Sequence, residues 1–372
     1  MKRIVIPKSR IRELLDALTA AYRVVAPVKE NGVLEFREIL SAAQVQLTDE
    51  ITYKSPKEFF FPRTEKFLSF NQNGDVIEES KPQKTVIFGV RPCDLEALKV
   101  MTAVFTGGKF TDTIFAGHLE NAAIIGLGCV GEKPGCFCRE RNIDKNSSFE
   151  CDMFLINKGD HYLADILTTK GESIINEFLP DTQEDAKAAC TAEEVNTAKE
   201  VCTAEEVNTA KAACTAEEAC TAKEACTAVA TNTAPVAEDV REILQLDIDE
   251  NILFNSVDWG SISETCLACG TCTYICPTCH CFGFRDVVEK GVTSRYRCWD
   301  SCMYPQFTLH ASGHNPRPTK KERYRQRIMH KYLYVRQNLG YIACTGCGRC
   351  IRSCPAGMNI KSVVKSIMEE LT

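Results

Sequence analysis

Residues 266–277 read Cys-Leu-Ala-Cys-Gly-Thr-Cys-Thr-Tyr-Ile-Cys-Pro, and residues 344–355 read Cys-Thr-Gly-Cys-Gly-Arg-Cys-Ile-Arg-Ser-Cys-Pro. Both have the spacing C-x2-C-x2-C-x3-C-P. This run supplies thiolates to a [4Fe–4S] cluster, with the fourth cysteine serving the other cluster of a pair. Three thiolates at close intervals on a tight loop can reach three irons of one cubane. Gly270, Gly346 and Gly348 ease the turns and let backbone N–H groups approach the sulfurs. The assignment expected is Cys266, Cys269, Cys272 and Cys354 for cluster A, and Cys344, Cys347, Cys350 and Cys276 for cluster B. Zinc also uses C-x2-C pairs, but a structural zinc takes four ligands at paired spacing. Here each run carries four cysteines and ends in Cys-Pro, twice.

Residues 277–343 between the runs are more than a minimal two-cluster unit needs. That space must hold helices, so residues 240–372 read as a mainly helical, ferredoxin-like domain with two clusters. Residues 317–336 hold eight Arg or Lys against one acidic residue, Glu322. They read as a solvated helix face, or else as a docking surface for an acidic partner. His310, His314 and His330 read as structural. Cys279, Cys281, Cys298 and Cys302 follow the first run. They are either small buried residues beside a cluster or a further metal site.

Residues 1–180 read as an α/β domain, which makes the fold class α+β. Ile11, Leu14, Leu15 and Leu18 repeat at helical spacing over 9–21, with Ser9 as candidate N-cap. Residues 22–28 read as a strand. The runs 85–90 and 122–129 read as buried strands flanking a helix over 95–105, capped by Asp94. Strand, helix, strand implies a βαβ unit and a partly parallel sheet. Cys93 stands at the helix start, where the dipole favours a thiolate. Cys129 ends a strand, and Cys136 and Cys138 follow. Ends of strands in such sheets are where sites are built. The four thiols are candidates for a third [4Fe–4S] cluster, with unliganded core cysteines as the other reading.

Residues 181–239 contain no Phe, Trp, Tyr, Leu, Ile or Met, and Cys-Thr-Ala-Glu-Glu recurs every twelve residues from Cys190. This low-complexity insertion has too little apolar surface for a core of its own. It reads as a tandem expansion whose removal leaves the clusters intact, the alternative being a redox site formed by Cys190, Cys202, Cys214, Cys220 and Cys226. The chain of 372 residues carries a formal net charge of -6, which argues against nucleic-acid binding. No leader or membrane-length apolar run is visible, and 22 cysteines without a leader suggest a reducing, cytoplasmic and anaerobic setting. There is no Walker loop, dinucleotide fingerprint or nucleophile elbow.

Several segments together resemble one family: Gly89-Val90-Arg91-Pro92-Cys93-Asp94-Leu95, Cys136-Phe137-Cys138, Cys276-Pro277-Thr278-Cys279-His280-Cys281, Trp299-Asp300-Ser301-Cys302-Met303 and Gly313-His314-Asn315-Pro316-Arg317-Pro318. The family comprises the beta subunits of soluble NiFe hydrogenases (sulfhydrogenases) and the corresponding electron-transfer subunits of anaerobic sulfite reductases. The resemblance covers nearly the whole chain outside the repeat. It implies a cytoplasmic electron-transfer subunit, placed between a flavin-containing, NAD(P)H-oxidising partner and a catalytic subunit. The catalytic partner would be a sulfite reductase, a NiFe hydrogenase or a heterodisulfide-reductase-like module, with no nucleic acid or membrane among the partners. Two other readings stand beside it: a redox or metal sensor, and a self-contained iron–sulfur enzyme with a substrate site near Cys93.

Overall fold

The computed structural model describes residues 2–79, 82–146, 148, 150–180 and 249–371. The twelve-residue repeat and its cysteines lie outside the described residues. Among the described residues, eleven strands form two sheets: β1 Lys2–Pro7, β2 Arg23–Glu30, β3 Val33–Ile39, β4 Thr64–Phe70, β5 Val76–Glu79, β6 Thr85–Val90, β7 Ala122–Leu127, β8 Met153–Asn157, β9 His161–Ile166, β10 Phe282–Glu289 and β11 Val292–Trp299. The larger sheet has the order β1-β9-β8-β7-β6-β2-β3. Its centre, β2-β6-β7-β8, is parallel and its margins are antiparallel.

Four helices cover this sheet: α1 Lys8–Ala21, α2 Pro92–Thr106, α3 Thr113–Asn121 and α4 Thr169–Phe178. Successive strand residues point to opposite faces, and the packing follows that rule. Val24, Val86 and Ile125 meet Ile11, Leu14 and Leu18 of α1 and Ile174 of α4. Their neighbours Val25, Ile87 and Ile124 meet Leu95, Leu98 and Met101 of α2 and Phe115 of α3. The expected βαβ unit is therefore present as β6-α2-β7. Two caps differ from expectation. Helix α1 starts at Lys8 after Pro7, so Ser9 lies inside it and caps nothing. Helix α2 starts at Pro92 after Arg91, so Asp94 lies in its first turn and is spent on another partner, described below.

The second sheet, β10-β11-β4-β5, is antiparallel throughout. It pairs Thr64 with Cys298 and Phe70 with Thr293, joining the two ends of the chain across the repeat. Part of the gap between the cysteine runs is thus a β-hairpin rather than helix. Its turn is Lys290-Gly291, both at positive φ, the geometry of a two-residue turn that matches strand twist. Arg297, 1% exposed, pins the hairpin: it pairs with Glu65 at 2.9 Å and Asp112 at 2.6 Å.

The remaining C-terminal elements are α5 Glu250–Asn255, α6 Trp259–Ser263, α7 Thr271–Tyr274, α8 Lys320–Met329, a π-helical turn His330–Tyr334, α9 Val335–Leu339, α10 Arg349–Arg352 and α11 Ile360–Leu371. Their core gathers Leu253, Trp259, Met303, Tyr324, Ile328, Ile360 and Ile367. Among the described residues, no helix is long and apolar enough to cross a membrane.

Candidate metal centres

Helices α7 and α10 are single turns that begin at Gly270 and Gly348, both left-handed. Each places the later cysteines of its run after a tight loop. Cys266, Cys269, Cys272 and Cys354 line one pocket, together with Cys350, Met303, Tyr324, Arg327, Met358 and Ile360. Cys266 is in electrostatic contact with Cys272 and Cys354. Backbone N–H groups of Ala268 and Met358 donate to the thiols of Cys266 and Cys354 at 3.4 and 3.3 Å. The second set gathers likewise, with Cys350 in electrostatic contact with Cys276, Cys347 and Cys344. The last cysteine of each run therefore lies near cysteines of the other run.

The surroundings fit a negatively charged inorganic group. Three buried polar atoms beside these cysteines, Tyr324 Oη, Arg327 Nε and Thr345 Oγ1, have no hydrogen-bond partner among the described residues. Buried polar atoms are rarely left so, and the sulfurs of a cluster would accept from them. Arg327 and Lys331 are buried, and among the described residues neither meets a carboxylate. Burial by itself lowers the pKa of both. Cys272 and Cys350 hold Arg327 above the ordinary arginine range instead, and Cys276 and Cys279 do the same for Lys331. Lys331 Nζ donates to Cys276 Sγ at 3.1 Å, Thr278 Oγ1 at 3.2 Å and the Ala343 carbonyl at 3.0 Å. Among the described residues, no three His, Cys, Asp or Glu side chains converge as ligands of one metal ion do. Four-iron clusters need thiols spread more widely than the roughly 3.8 Å edge of a tetrahedral zinc site with Zn–S near 2.3 Å.

The expectation of a solvated basic face fails for three of its eight cations. Arg323, Arg327 and Lys331 recur at i, i+4 and i+8, so they share one helix face, and all three are buried. Arg323 donates to the carbonyls of Met303, Arg317 and Pro318. The other two sit against thiols. The i, i+4, i+8 spacing, flanked by Tyr324 and Ile328, was the available signal. The missing carboxylates could not be foreseen.

The third set is also brought together. Arg91 and Gly128 follow the carboxyl ends of adjacent parallel strands β6 and β7, and Arg91 Nη1 donates to the Gly128 carbonyl at 2.8 Å. Cys93 and Cys129 flank that bond. Cys138 is in electrostatic contact with Cys93, Cys136 and Cys129, and the thiols of Cys136 and Cys138 lie 3.9 Å apart. At Cys93 the helix dipole does not prevail: burial, then Asp94, pushes the thiol above its ordinary range. The residue is 3% exposed, which counts against a substrate site there.

This set abuts the second. The Phe137 N–H donates to the Gly346 carbonyl at 2.7 Å. A Cβ on Gly346, whose φ is +63°, would stand 2.6 Å from the Phe137 carbonyl. Cys93 and Cys347 are in electrostatic contact. Beneath them Arg349 makes a two-pronged pair with Asp94, at 2.6 and 2.8 Å, and donates to Thr52 O and Oγ1 at 2.9 and 3.0 Å. The N-terminal cysteines thus rest on C-terminal backbone, and a fragment ending near residue 180 would lack that support.

Among the cysteines after the first run, Cys279 shares a hydrogen bond with Cys276, and Cys281 shares one with Cys302, which lowers the Cys281 thiol to about 7. Cys298 sits on β11 opposite Gly283. Lys57 donates to the Cys279 carbonyl at 2.8 Å and stacks 3.9 Å over the Trp299 ring. Cys151, buried at the entry to β8, was not singled out by the sequence; it sits among apolar neighbours.

Residues 265–358 match the family described as "4Fe-4S dicluster domain". Over 365 residues, 96% of this chain and 96% of the other, the sequence is 29% identical to Sulfhydrogenase 2 subunit beta of Pyrococcus furiosus. No solved structure matches the chain. The chain therefore carries a 4Fe-4S dicluster domain with two [4Fe–4S] clusters, and along nearly its whole length it is similar to a sulfhydrogenase beta subunit.

Proposed function

We propose that this chain is the iron–sulfur electron-transfer subunit of a cytoplasmic, multi-subunit, hydrogenase-like oxidoreductase. It would stand between a flavin-containing, NAD(P)H-oxidising partner and a catalytic subunit. The observation that carries the reading is the row of three cysteine sets. Cys266, Cys269, Cys272 and Cys354 adjoin Cys344, Cys347, Cys350 and Cys276 across Arg327. Those in turn adjoin Cys93, Cys129, Cys136 and Cys138 across the Gly346–Phe137 contact. The first two sets would hold clusters A and B, and the third set a third [4Fe–4S] cluster. Bound clusters supply one-electron redox chemistry.

The chain's own residues do the rest. Met303, Ile360 and Phe137 supply apolar, buried walls. Arg327 and Lys331 supply buried positive charge. At one end Cys269 is exposed and Leu267 is 66% exposed, so the first set would face a partner.

Replacing Cys354 tests both the ligand assignment and the relay. In the intact complex, Cys354→Ala should abolish the EPR signal of cluster A, keep that of cluster B, and interrupt electron flow between the partner subunits. Selective loss of cluster B would overturn the crossed ligation. Undiminished flow with cluster A gone would overturn the relay.

A further inference from the structure

Arg323, Arg327 and Lys331 form one buried cationic face, yet each points at something different. Arg323 spends its donors on backbone carbonyls. Arg327 lines the pocket of Cys266, Cys269, Cys272 and Cys354 together with Cys350 of the second set, and its Nε has no hydrogen-bond partner among the described residues. Lys331 Nζ donates to Cys276 Sγ at 3.1 Å and to Thr278 Oγ1 at 3.2 Å, so the thiol it contacts belongs to the second set. By contrast, Arg349, the cation between the second and third sets, is neutralised by Asp94. The row of centres therefore experiences an uneven fixed charge.

One-electron reduction adds one negative charge to a thiolate-ligated cluster, so a desolvated cation nearby favours the reduced form and raises the potential. We propose that Lys331 selectively raises the reduction potential of the cluster held by Cys276, Cys344, Cys347 and Cys350, while Arg327 raises that cluster and its neighbour at Cys266, Cys269, Cys272 and Cys354 together. Lys331 is then a tuning residue that makes the middle of the row a better electron acceptor than its thiolates alone would. The inference rests on the cluster assignment proposed above.

The test is an EPR-monitored potentiometric titration of the full chain, with dithionite as one-electron reductant. Lys331→Met should shift one cluster's reduction equilibrium by about tenfold toward the oxidised form, which is 59 mV for a one-electron couple. Lys331→Arg should restore the value. Arg327→Met should shift two clusters in the same sense, and Arg323→Met should shift none. Lys331→Gln retains a donor for the Ala343 carbonyl and replaces the Met variant if that one does not load iron. Arg327→Gln serves if neither Lys331 variant loads. An iron-loaded neutral variant with unmoved potentials overturns the tuning role. A wild-type chain without [4Fe–4S] signals would instead overturn the cluster assignment itself.

Discussion

The Asp94–Arg349 pair is the most consequential single contact between the two ends of the chain. Both side chains are essentially fully buried, at 1% and 0% exposure, and two parallel hydrogen bonds join them. Arg349→Met removes the cation and leaves a carboxylate buried beside two cysteine sets. Breaking one side of such a pair costs about 3–5 kcal/mol. A unit of this size loses roughly 2–4 °C of Tm per kcal/mol, so the expected fall is on the order of 10 °C. Asp94→Leu should cost a similar amount, because the guanidinium is then unpaired. The double variant Asp94→Leu/Arg349→Met should be far better than the sum, since no charge remains buried. Its residual cost, about 1–3 kcal/mol, comes from the orphaned carbonyl of Thr52, whose hydroxyl keeps its bond to the Lys54 carbonyl. Scanning calorimetry under argon on all four proteins reads the coupling directly. Single variants within about 2 °C of wild type, or a double variant as poor as both singles added, would refute the reasoning.

Two further perturbations follow from local geometry. Gly346→Ala should drive apart the loops of residues 135–138 and 344–350, because its Cβ has no room at 2.6 Å. Tm should drop, and the iron proposed at Cys93, Cys129, Cys136 and Cys138 should be lost first, while a variant with full iron and wild-type Tm would contradict the packing. Burial alone would raise the Glu65 carboxyl, but His118 and Arg297 outweigh it and hold the group below its ordinary value of 4.5. A carboxylate lowered in the fold adds stability above its unfolded value and loses it as pH falls through the folded one. The Tm advantage of wild type over Glu65→Gln should therefore be full at pH 6 and shrink below pH 4.5. A gap that stays constant down to pH 3 would show that the pairing does not hold the charge.

Parts of this structure were legible in the sequence because their signals are local. The two cysteine runs fix tight loops, and the buried runs at 85–90 and 122–127 fix the parallel centre of the larger sheet. What escaped was long-range. Residues 282–299 carry a two-residue turn at Lys290-Gly291, a weaker signal than Asn-Gly. Their pairing partner, β4, lies more than two hundred positions earlier. Asp94 has the right type and place for a helix cap, and only the fold reveals Arg349 beneath it. Arg327 and Lys331 look like solvent-facing residues because charge is normally exposed. Their burial makes sense only once thiols from both cysteine runs surround them. The third cysteine set was legible as candidates, since each falls in a loop or at a helix start beside the same sheet, but its support by Gly346 was not.

The iron content of the intact chain, purified without oxygen, decides most directly whether the row has three centres. Three four-iron centres correspond to roughly twelve irons and as many labile sulfides per chain, with EPR spin quantification giving three centres after reduction. About eight irons, with Cys93, Cys129, Cys136 and Cys138 open to alkylation in the denatured, unreduced protein, would remove the third centre and break the proposed row.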